Sequence, residues 1–561
     1  MKAFNKNIED KDFSILIGGK AGDGIDKAGL IIAKIINRLG LYVYIYRDYP
    51  SIIRGGHTFS IIRASAKRIS CHKDNIDVLL AINQETFDLH KERLNGDGIV
   101  IYNSDNVKTA SAGMYGFNLD EVVKKENGEP IMRNTCMLGI LCKALSISKE
   151  LLEGVLQEEF SGKGDINLKI ALKGYELAEE LTGIKTDKNE TLPVLTGNEA
   201  IGMGLIRGGL DAYLAYPMTP SSGILHFLAA KSGDFSLDVM HPESEISVML
   251  MACGFAYAGK KVAVGTSGGG FCLMTEGLSF SGIAELPVVV ILGQRTGPST
   301  GLPTYTGQTE VHFAINAGHG EFPRVVLAPG DTEEAFYWSA LALNLAWEFQ
   351  IPAIVLSDKM LSESSYNFDI NLIPKVNEYE PVLWDRNGEY KRYFNSDNPV
   401  SGLSFPGQKG AVIKVNSYEH DEYGITTEKA DITESMQKKR QSKESLIAKK
   451  LSTYETIGVY GDKGSDTVLL CWGSNKGVCK ELAEELHLRM IHPKVLWPFP
   501  AEEFTASIRG AKKMICVENN ITSQLSRLIE TFGRKPDVKI LRYDGRPFSL
   551  DGLRKELKKV I

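Results

Sequence analysis

The side chains with chemistry to offer gather in the middle of this sequence. Tyr216-Pro217-Met218-Thr219-Pro220-Ser221-Ser222 closes the strand-like run DAYLA and opens a helical stretch. Two prolines constrain that turn, and the hydroxyls of Thr219, Ser221 and Ser222 stand near a helix N-terminus. Simple capping would use one hydroxyl and leave the rest of the constrained sequence without a reason. Glu243 and Glu245 then lead the apolar, small-residue run ISVMLMACGFAYAG. The plain account of a carboxylate there is stabilisation by the helix dipole. Further on, Arg295 lies among glycines and prolines in GQRTGPSTGLPT (Gly293 to Thr304), and its plain account is a surface ion pair.

Two glycine-bearing segments lie nearer the N-terminus. Gly18-Gly19-Lys20-Ala21-Gly22-Asp23-Gly24 follows a strand and precedes a helix, a place where backbone N–H groups can hold an anion. It is neither G-x-G-x-x-G nor a Walker sequence, so a tight packing turn competes with nucleotide binding. Arg47 to His57 (RDYPSIIRGGH) joins cations, an imidazole and two glycines, which suits a site or interface contact as well as a solvated loop. The cysteines, Cys71, Cys136, Cys142, Cys253, Cys272, Cys471, Cys479 and Cys516, contain no C-x-x-C pair. Neither a zinc nor an iron–sulfur site can be read from that spacing, and buried thiols are expected.

These segments must be positioned by layered elements. Short β-rich runs (FSILIGG, LYVYIYR, TFSIIRAS, IDVLLAIN) alternate with helical stretches from the start to residue 184. The polar segment KTDKNETLP, residues 185–193, reads as a linker. The alternation restarts over 194–358, where KKVAVGT, LPVVVILG and IPAIVLS predict a largely parallel sheet. Residues 359–462 are polar and irregular and end in a charged helical piece, the mark of a long connector that wraps another surface. A last alternation fills 463–561, with TVLLCWG, MIHPKVLWP, KKMICVENN and VKILRYDG as strands. The fold class expected is α/β, in three domains.

Length agrees: 561 residues at roughly 150 per domain give three or four domains. With 64 Lys+Arg against 70 Asp+Glu the formal charge is -6, which supplies no basic field for nucleic acid or anionic lipid. No apolar run approaches a membrane span, and the first residues carry no signal-peptide core, so a cytoplasmic location is expected.

Glu245 opens a small-residue helix nine positions before Gly254, which resembles the pyrimidine-domain signature of thiamine diphosphate enzymes. Tyr216 to Ser222 is similar to the Y-P-I-T-P-S-S motif of the 2-oxoacid:ferredoxin oxidoreductases, with Met218 in place of isoleucine. Gly293 to Thr304 resembles that family's arginine loop, Thr296 replacing a common glycine. Gly265 to Gly270 (GTSGGG), Gly318 to Asp331 (GHGEFPRVVLAPGD) and Ser417 to Glu428 (SYEHDEYGITTE) extend the likeness in order along the chain. The first block resembles the family's gamma subunit, fused ahead of an alpha subunit.

The resemblance implies a gamma-like domain, a central pyrimidine-type thiamine diphosphate domain and a transketolase C-terminal-like domain. It implies that Glu245 engages the aminopyrimidine of a thiamine diphosphate shared with a partner, with Pro217, Met218 and Thr219 beside the cofactor. A glutamate suits that task when burial raises its pKa enough to hold a proton. Thr219 and Arg295 would recognise the 2-oxoacid carboxylate, which a planar guanidinium matches as a fork, and Tyr216 would wall the site. Thiamine enzymes hold magnesium diphosphate through G-D-G followed by Asn-Asn. Gly22-Asp23-Gly24 and Gly96-Asp97-Gly98 lack that sequel, and Asn519-Asn520 stands alone near the end. No metal ligand is therefore assigned, and a beta subunit carrying Mg2+ and a 4Fe–4S cluster is implied. The implied reaction is coenzyme A-dependent oxidative decarboxylation of a 2-oxoacid, 2-oxoglutarate before pyruvate, with electrons passing to ferredoxin. A noncatalytic nucleotide-binding regulatory subunit and a transketolase-like thiamine transferase are the competing readings.

Overall fold

A computed structural model of the chain describes residues 12–52, 55–109, 114–160, 164–184 and 189–561. Ile53 and Arg54 of the cation-rich loop and residues 185–188 of the expected linker lie outside the described residues. Three sheets of eight, seven and five strands carry the fold, each with parallel pairs and helical crossovers. Among the described residues no helix is long and apolar enough to cross a membrane.

The chain forms two compact units. The first comprises Met1–Leu195 with Ser364–Asp369 and Phe548–Lys559. Its sheet centres on Phe13–Lys20, antiparallel to His57–Ser65 and parallel to Ile76–Ala81. The helix Ile25–Asn37 turns Ala28, Ile32, Ile35 and Ile36 into the core, as its 3.6-residue pattern requires. Helices Arg133–Ala144 and Gly164–Leu177 pack at backbone distance because glycines sit at the crossing. A Cβ on Gly139 would lie 1.8 Å from the Ala171 carbonyl oxygen, and one on Gly174 2.2 Å from that of Cys136. The turn Gly22–Gly24 is closed from within: the Asp23 carboxylate accepts from Lys20 N at 2.8 Å, and Asn134 Nδ2 donates to the carbonyls of Asp23 and Gly24.

Two distant segments complete this unit. Ser365–Asn367 adds a strand antiparallel to Tyr42–Asp48, and Asn367 Nδ2 donates to Asn37 Oδ1 at 2.8 Å. The helix Leu550–Leu557 is tied by Leu550 N to the His72 carbonyl and by Asp551 Oδ2, which accepts from the backbone N–H groups of Asp74 and Asn75.

The second unit comprises Thr196–Glu363, Ile370–Pro547 and Val560–Ile561. Its seven-stranded sheet places Val262–Ser267 between Ala212–Ala215 and Val289–Gln294, all parallel, and continues through Ala353–Asp358 to Val325–Leu327. Val262–Ser267, Val289–Gln294 and Ala353–Asp358 are buried along their whole length, which is why they read as unbroken apolar runs. The first helix behind this sheet, Gly197–Arg207, starts with a capping box between Thr196 and Glu199. Thr196→Ala should cost about 1 kcal/mol of stability, readable as a lower denaturant midpoint. The five-stranded sheet is built on Thr467–Cys471, parallel to Arg489–Pro493 and to Lys513–Glu518. Directly after Arg489–Pro493, the chain runs on into Val495–Trp497, which pairs antiparallel with Val325–Leu327 and so belongs to the neighbouring sheet. Lys476 Nζ reaches Glu334 Oε1 at 2.6 Å and also meets Asp331, a buried ion cluster between the two layers.

The irregular stretch before residue 462 is held by charge as well as by apolar contact. Arg392 donates to the carbonyls of Ala284 and Glu285, and the helix Ala430–Leu451 brings Lys439 Nζ to within 2.8 Å of Glu285 Oε1, with Lys443 on its other oxygen. Burial opposes the ionisation of Glu285, but Lys439, Lys443 and Arg392 outweigh it and hold its carboxyl far below the ordinary 4.5. A carboxyl depressed in the folded state lends stability above its unfolded pKa and loses it as pH falls through its folded pKa. Acidification below about pH 4 should therefore loosen this helix progressively as Glu285 is protonated. Hydrogen exchange over Ala430–Leu451 would report it, and protection unchanged down to the global transition would contradict it.

Candidate active site

The site forms at the C-terminal ends of the parallel strands, where loops leave the sheet and helices begin. Ala212–Ala215 delivers the chain into Tyr216–Pro220, and the Met218 carbonyl accepts hydrogen bonds from Ser221 N and Oγ, both 2.9 Å, as the helix Ser222–Phe235 starts. Asn198 Nδ2 clamps the Pro220 carbonyl at 2.8 Å. The next crossover opens the helix Glu245–Tyr257, whose Ser244 cap accepts from Ser247 N. The two glutamates of that entrance part company. Glu243 is bonded by Ser247 Oγ in an exposed position, whereas Glu245 turns inward and is 6% exposed.

Glu245 faces the glycine run that ends the neighbouring strand. A Cβ on Gly270 would lie 2.5 Å from Glu245 Oε1 and 2.2 Å from Thr266 Oγ1. The run Gly268-Gly269-Gly270 begins the helix Gly268–Ile283, so a helix N-terminus opens here with no side chains of its own first residues in the way. A cavity of about 580 Å³ results, lined among others by Met218, Glu245, Cys272, Arg295 and Glu310. Gly270→Ala should push the Glu245 carboxyl aside and lower turnover by roughly tenfold to 100-fold. Turnover beside the unfolding midpoint would check it, and normal turnover would show that the glycine merely packs.

Arg295 follows Val289–Gln294 and is 8% exposed, so it is not the surface cation its sequence context allows. Its Nη1 donates to the Thr219 carbonyl at 3.0 Å, which joins the two expected substrate loops. Burial lowers its pKa, and the negative charge of Glu310 opposes that. The loop beyond Arg295 folds back on itself: Leu302 N donates to the Thr296 carbonyl, and Thr296 Oγ1 to that of Thr306.

Met218, Glu245 and Arg295 thus line one cavity, and Thr219 joins them through its carbonyl. Tyr216 is 38% exposed and edge-on to His241, and neither it nor Pro217 is among the cavity-lining residues. Asn519 and Asn520 serve elsewhere: Asn519 N donates to Gln308 Oε1, and Asn520 Nδ2 to Glu518 Oε2. Cys272 is exposed, while the other seven cysteines are buried, and burial pushes the Cys136, Cys142 and Cys253 thiols up to about 12.

Glu310 was missed by sequence reasoning. It is buried, accepts from Thr309 Oγ1 at 2.6 Å, donates its own N–H to Gln294 Oε1, and lies 2.7 Å from where a Cβ on Gly268 would be. Burial pushes its carboxyl up to about 7, against the lowering by Thr309 and Arg295. A signal existed: Glu310 heads the short apolar run VHFAIN much as Glu245 heads ISVMLMA. The donor set suits one end of a thiamine: a buried carboxyl, space cleared by three glycines and a thioether wall, with a guanidinium left over for an anionic substrate.

Known proteins resemble this chain along nearly its whole length. Residues 203–439 match the family model described as pyruvate flavodoxin/ferredoxin oxidoreductase, thiamine diphosphate-binding, and residues 14–177 match that of pyruvate ferredoxin/flavodoxin oxidoreductase. The alpha subunit of a Sulfolobus 2-oxoacid:ferredoxin oxidoreductase is 31% identical, over 98% of this chain and 97% of its own length. The alpha subunit of 2-oxoacid:ferredoxin oxidoreductase 2 from Aeropyrum pernix is also 31% identical, over 96% of each chain. Among solved structures, the 2-oxoglutarate:ferredoxin oxidoreductase of Magnetococcus marinus, described with 2-oxoglutarate, coenzyme A and succinyl-CoA bound, superimposes with a TM-score of 0.89 at 31% identity, over 98% of this chain and 100% of that one. The chain belongs to the 2-oxoacid:ferredoxin oxidoreductase family, as an alpha-type subunit of a heteromeric oxidoreductase with a fused thiamine diphosphate-binding domain.

Proposed function

We propose that this subunit supplies the pyrimidine half of a thiamine diphosphate site and the carboxylate-binding cation of a coenzyme A-dependent 2-oxoacid:ferredoxin oxidoreductase, with 2-oxoglutarate the preferred substrate and pyruvate next. The observation that carries the reading is the shared cavity of Glu245 and Arg295, cleared by Gly268–Gly270. When bound, thiamine supplies the carbon nucleophile and the electron sink for loss of carbon dioxide. Glu245 presents its buried carboxyl for proton exchange with the aminopyrimidine. Arg295, steadied by the Thr219 carbonyl, receives the C1 carboxylate of the substrate as a fork. Met218 packs at the cavity wall, and its flexible thioether tolerates more than one 2-oxo side chain. The preference for 2-oxoglutarate is supported by the Magnetococcus marinus likeness over the whole chain.

The remaining half-site, the Mg2+ and the 4Fe–4S cluster belong in this reading to a beta subunit, which passes two electrons singly to ferredoxin while coenzyme A takes the acyl group. Next to the cavity, Ile246, Leu250 and Leu273 are each 51% exposed, an apolar face that supports a docked partner. The test is anaerobic native purification with whatever accompanies the chain, followed by coenzyme A-dependent viologen reduction across a panel of 2-oxoacids. Highest kcat/KM for 2-oxoglutarate is expected. A pyruvate or branched-chain preference would overturn the substrate, and isolation as a lone chain free of iron would overturn the partner.

A further inference from the structure

Glu310 has no part in the chemistry described above, yet it stands on the same cavity wall as Arg295 and Glu245. Its position is built rather than incidental. Gly268 leaves room for its carboxyl, Thr309 donates to it through Oγ1 at 2.6 Å and through N at 3.3 Å, and Gln294 holds its backbone N–H at 3.2 Å. The charged and titratable groups around it are few. Arg295 on the adjoining strand end is the cation that acts on it, and Glu245 and Cys272 line the same cavity from two other helices. His312 follows on the helix Val311–Asn316; burial and Arg527 lower its pKa, so it stays neutral near pH 7 and adds no charge there.

Two carboxylates cannot share one buried guanidinium cheaply, because like charges in a low-dielectric site repel strongly. We propose that Glu310 governs anion entry at Arg295: the cavity takes the carboxylate of the 2-oxoacid with Glu310 in its neutral acid form, and binding draws a proton from solvent onto ionised Glu310. Glu310 is thus a positioning residue that acts through Arg295, and this role rests on the carboxylate reading of Arg295. The proton balance is closed: one proton leaves solvent and resides on a Glu310 oxygen while the substrate anion is bound, and it returns when the anion leaves. Burial of the free carboxyl, which brings its titration to about 7, places the exchange in the neutral range.

The experiment is the pH dependence of KM for 2-oxoglutarate from about pH 6 to about pH 9 in the purified heteromeric enzyme, with coenzyme A saturating. Linkage to one proton makes KM rise by up to about tenfold per pH unit above neutrality. Glu310→Gln, which has no proton to exchange, should flatten that rise, and Glu310→Asp should restore a rise with a displaced midpoint. A flat wild-type profile overturns the proposal without recourse to any variant, and so does a wild-type slope retained in Glu310→Gln. The carboxylate reading of Arg295 fails on a different result, an unchanged KM in Arg295→Ala. A flat wild-type profile beside a raised KM in Arg295→Ala would remove the role of Glu310 alone.

Discussion

Glu245→Gln is expected to fold normally and to lose roughly 100-fold to 10,000-fold in turnover, the range of a lost proton-transfer group. The amide is isosteric with the carboxyl and fills the same space against Gly270, so packing is preserved while proton exchange is lost. Burial sharpens the effect. At 6% exposure, solvent cannot readily stand in for the missing acid. Viologen reduction by the anaerobic complex, with circular dichroism as the check on folding, measures it. Unchanged turnover would remove Glu245 from the mechanism.

Arg295→Ala should weaken substrate use while leaving thiamine bound. Removing one partner of a desolvated charge pair costs about 2–5 kcal/mol, roughly a 30-fold to 5,000-fold fall in kcat/KM. The loss should appear mainly in KM, because the guanidinium meets a carboxylate present in the ground state. Two local groups are also released: the Thr219 carbonyl loses its donor, and Glu310 loses the cation that favours its ionised form. Arg295→Lys should recover only part of the loss, since an ammonium keeps the charge and abandons the fork. A normal KM for every 2-oxoacid in Arg295→Ala would refute carboxylate recognition at this position.

Much of the site is local in sequence and was legible for that reason. A strand, a proline-fixed turn and a helix start follow one another within Ala212–Ser222, and an acid at the head of an apolar helix needs only the next few residues to be recognised. Three successive rounds of alternating periodicity correspond to three sheets, because each crossover is set by short-range propensity and connection length. The fate of a side chain across the fold is another matter. Tyr216 and Arg295 are both polar-tipped residues on loops, yet the first stays 38% exposed and the second sinks to 8%, a difference made by elements that come together from afar.

The sequence by itself determined the α/β class and the position of Glu245 at the head of an apolar helix, since both follow from periodicity, turn chemistry and short spacing, while the motif order was read by resemblance to the family. Only the tertiary structure brought Gly268–Gly270 against Glu245 and revealed Glu310 as a second cavity carboxyl. It alone added Ser365–Asn367 to the strand Tyr42–Asp48 and carried Val495–Trp497 onto the edge of the neighbouring sheet. The physical reason is common to these cases: partners tens to hundreds of residues apart are selected by packing, charge burial and ladder pairing in the folded chain, and none of those leaves a local period to read.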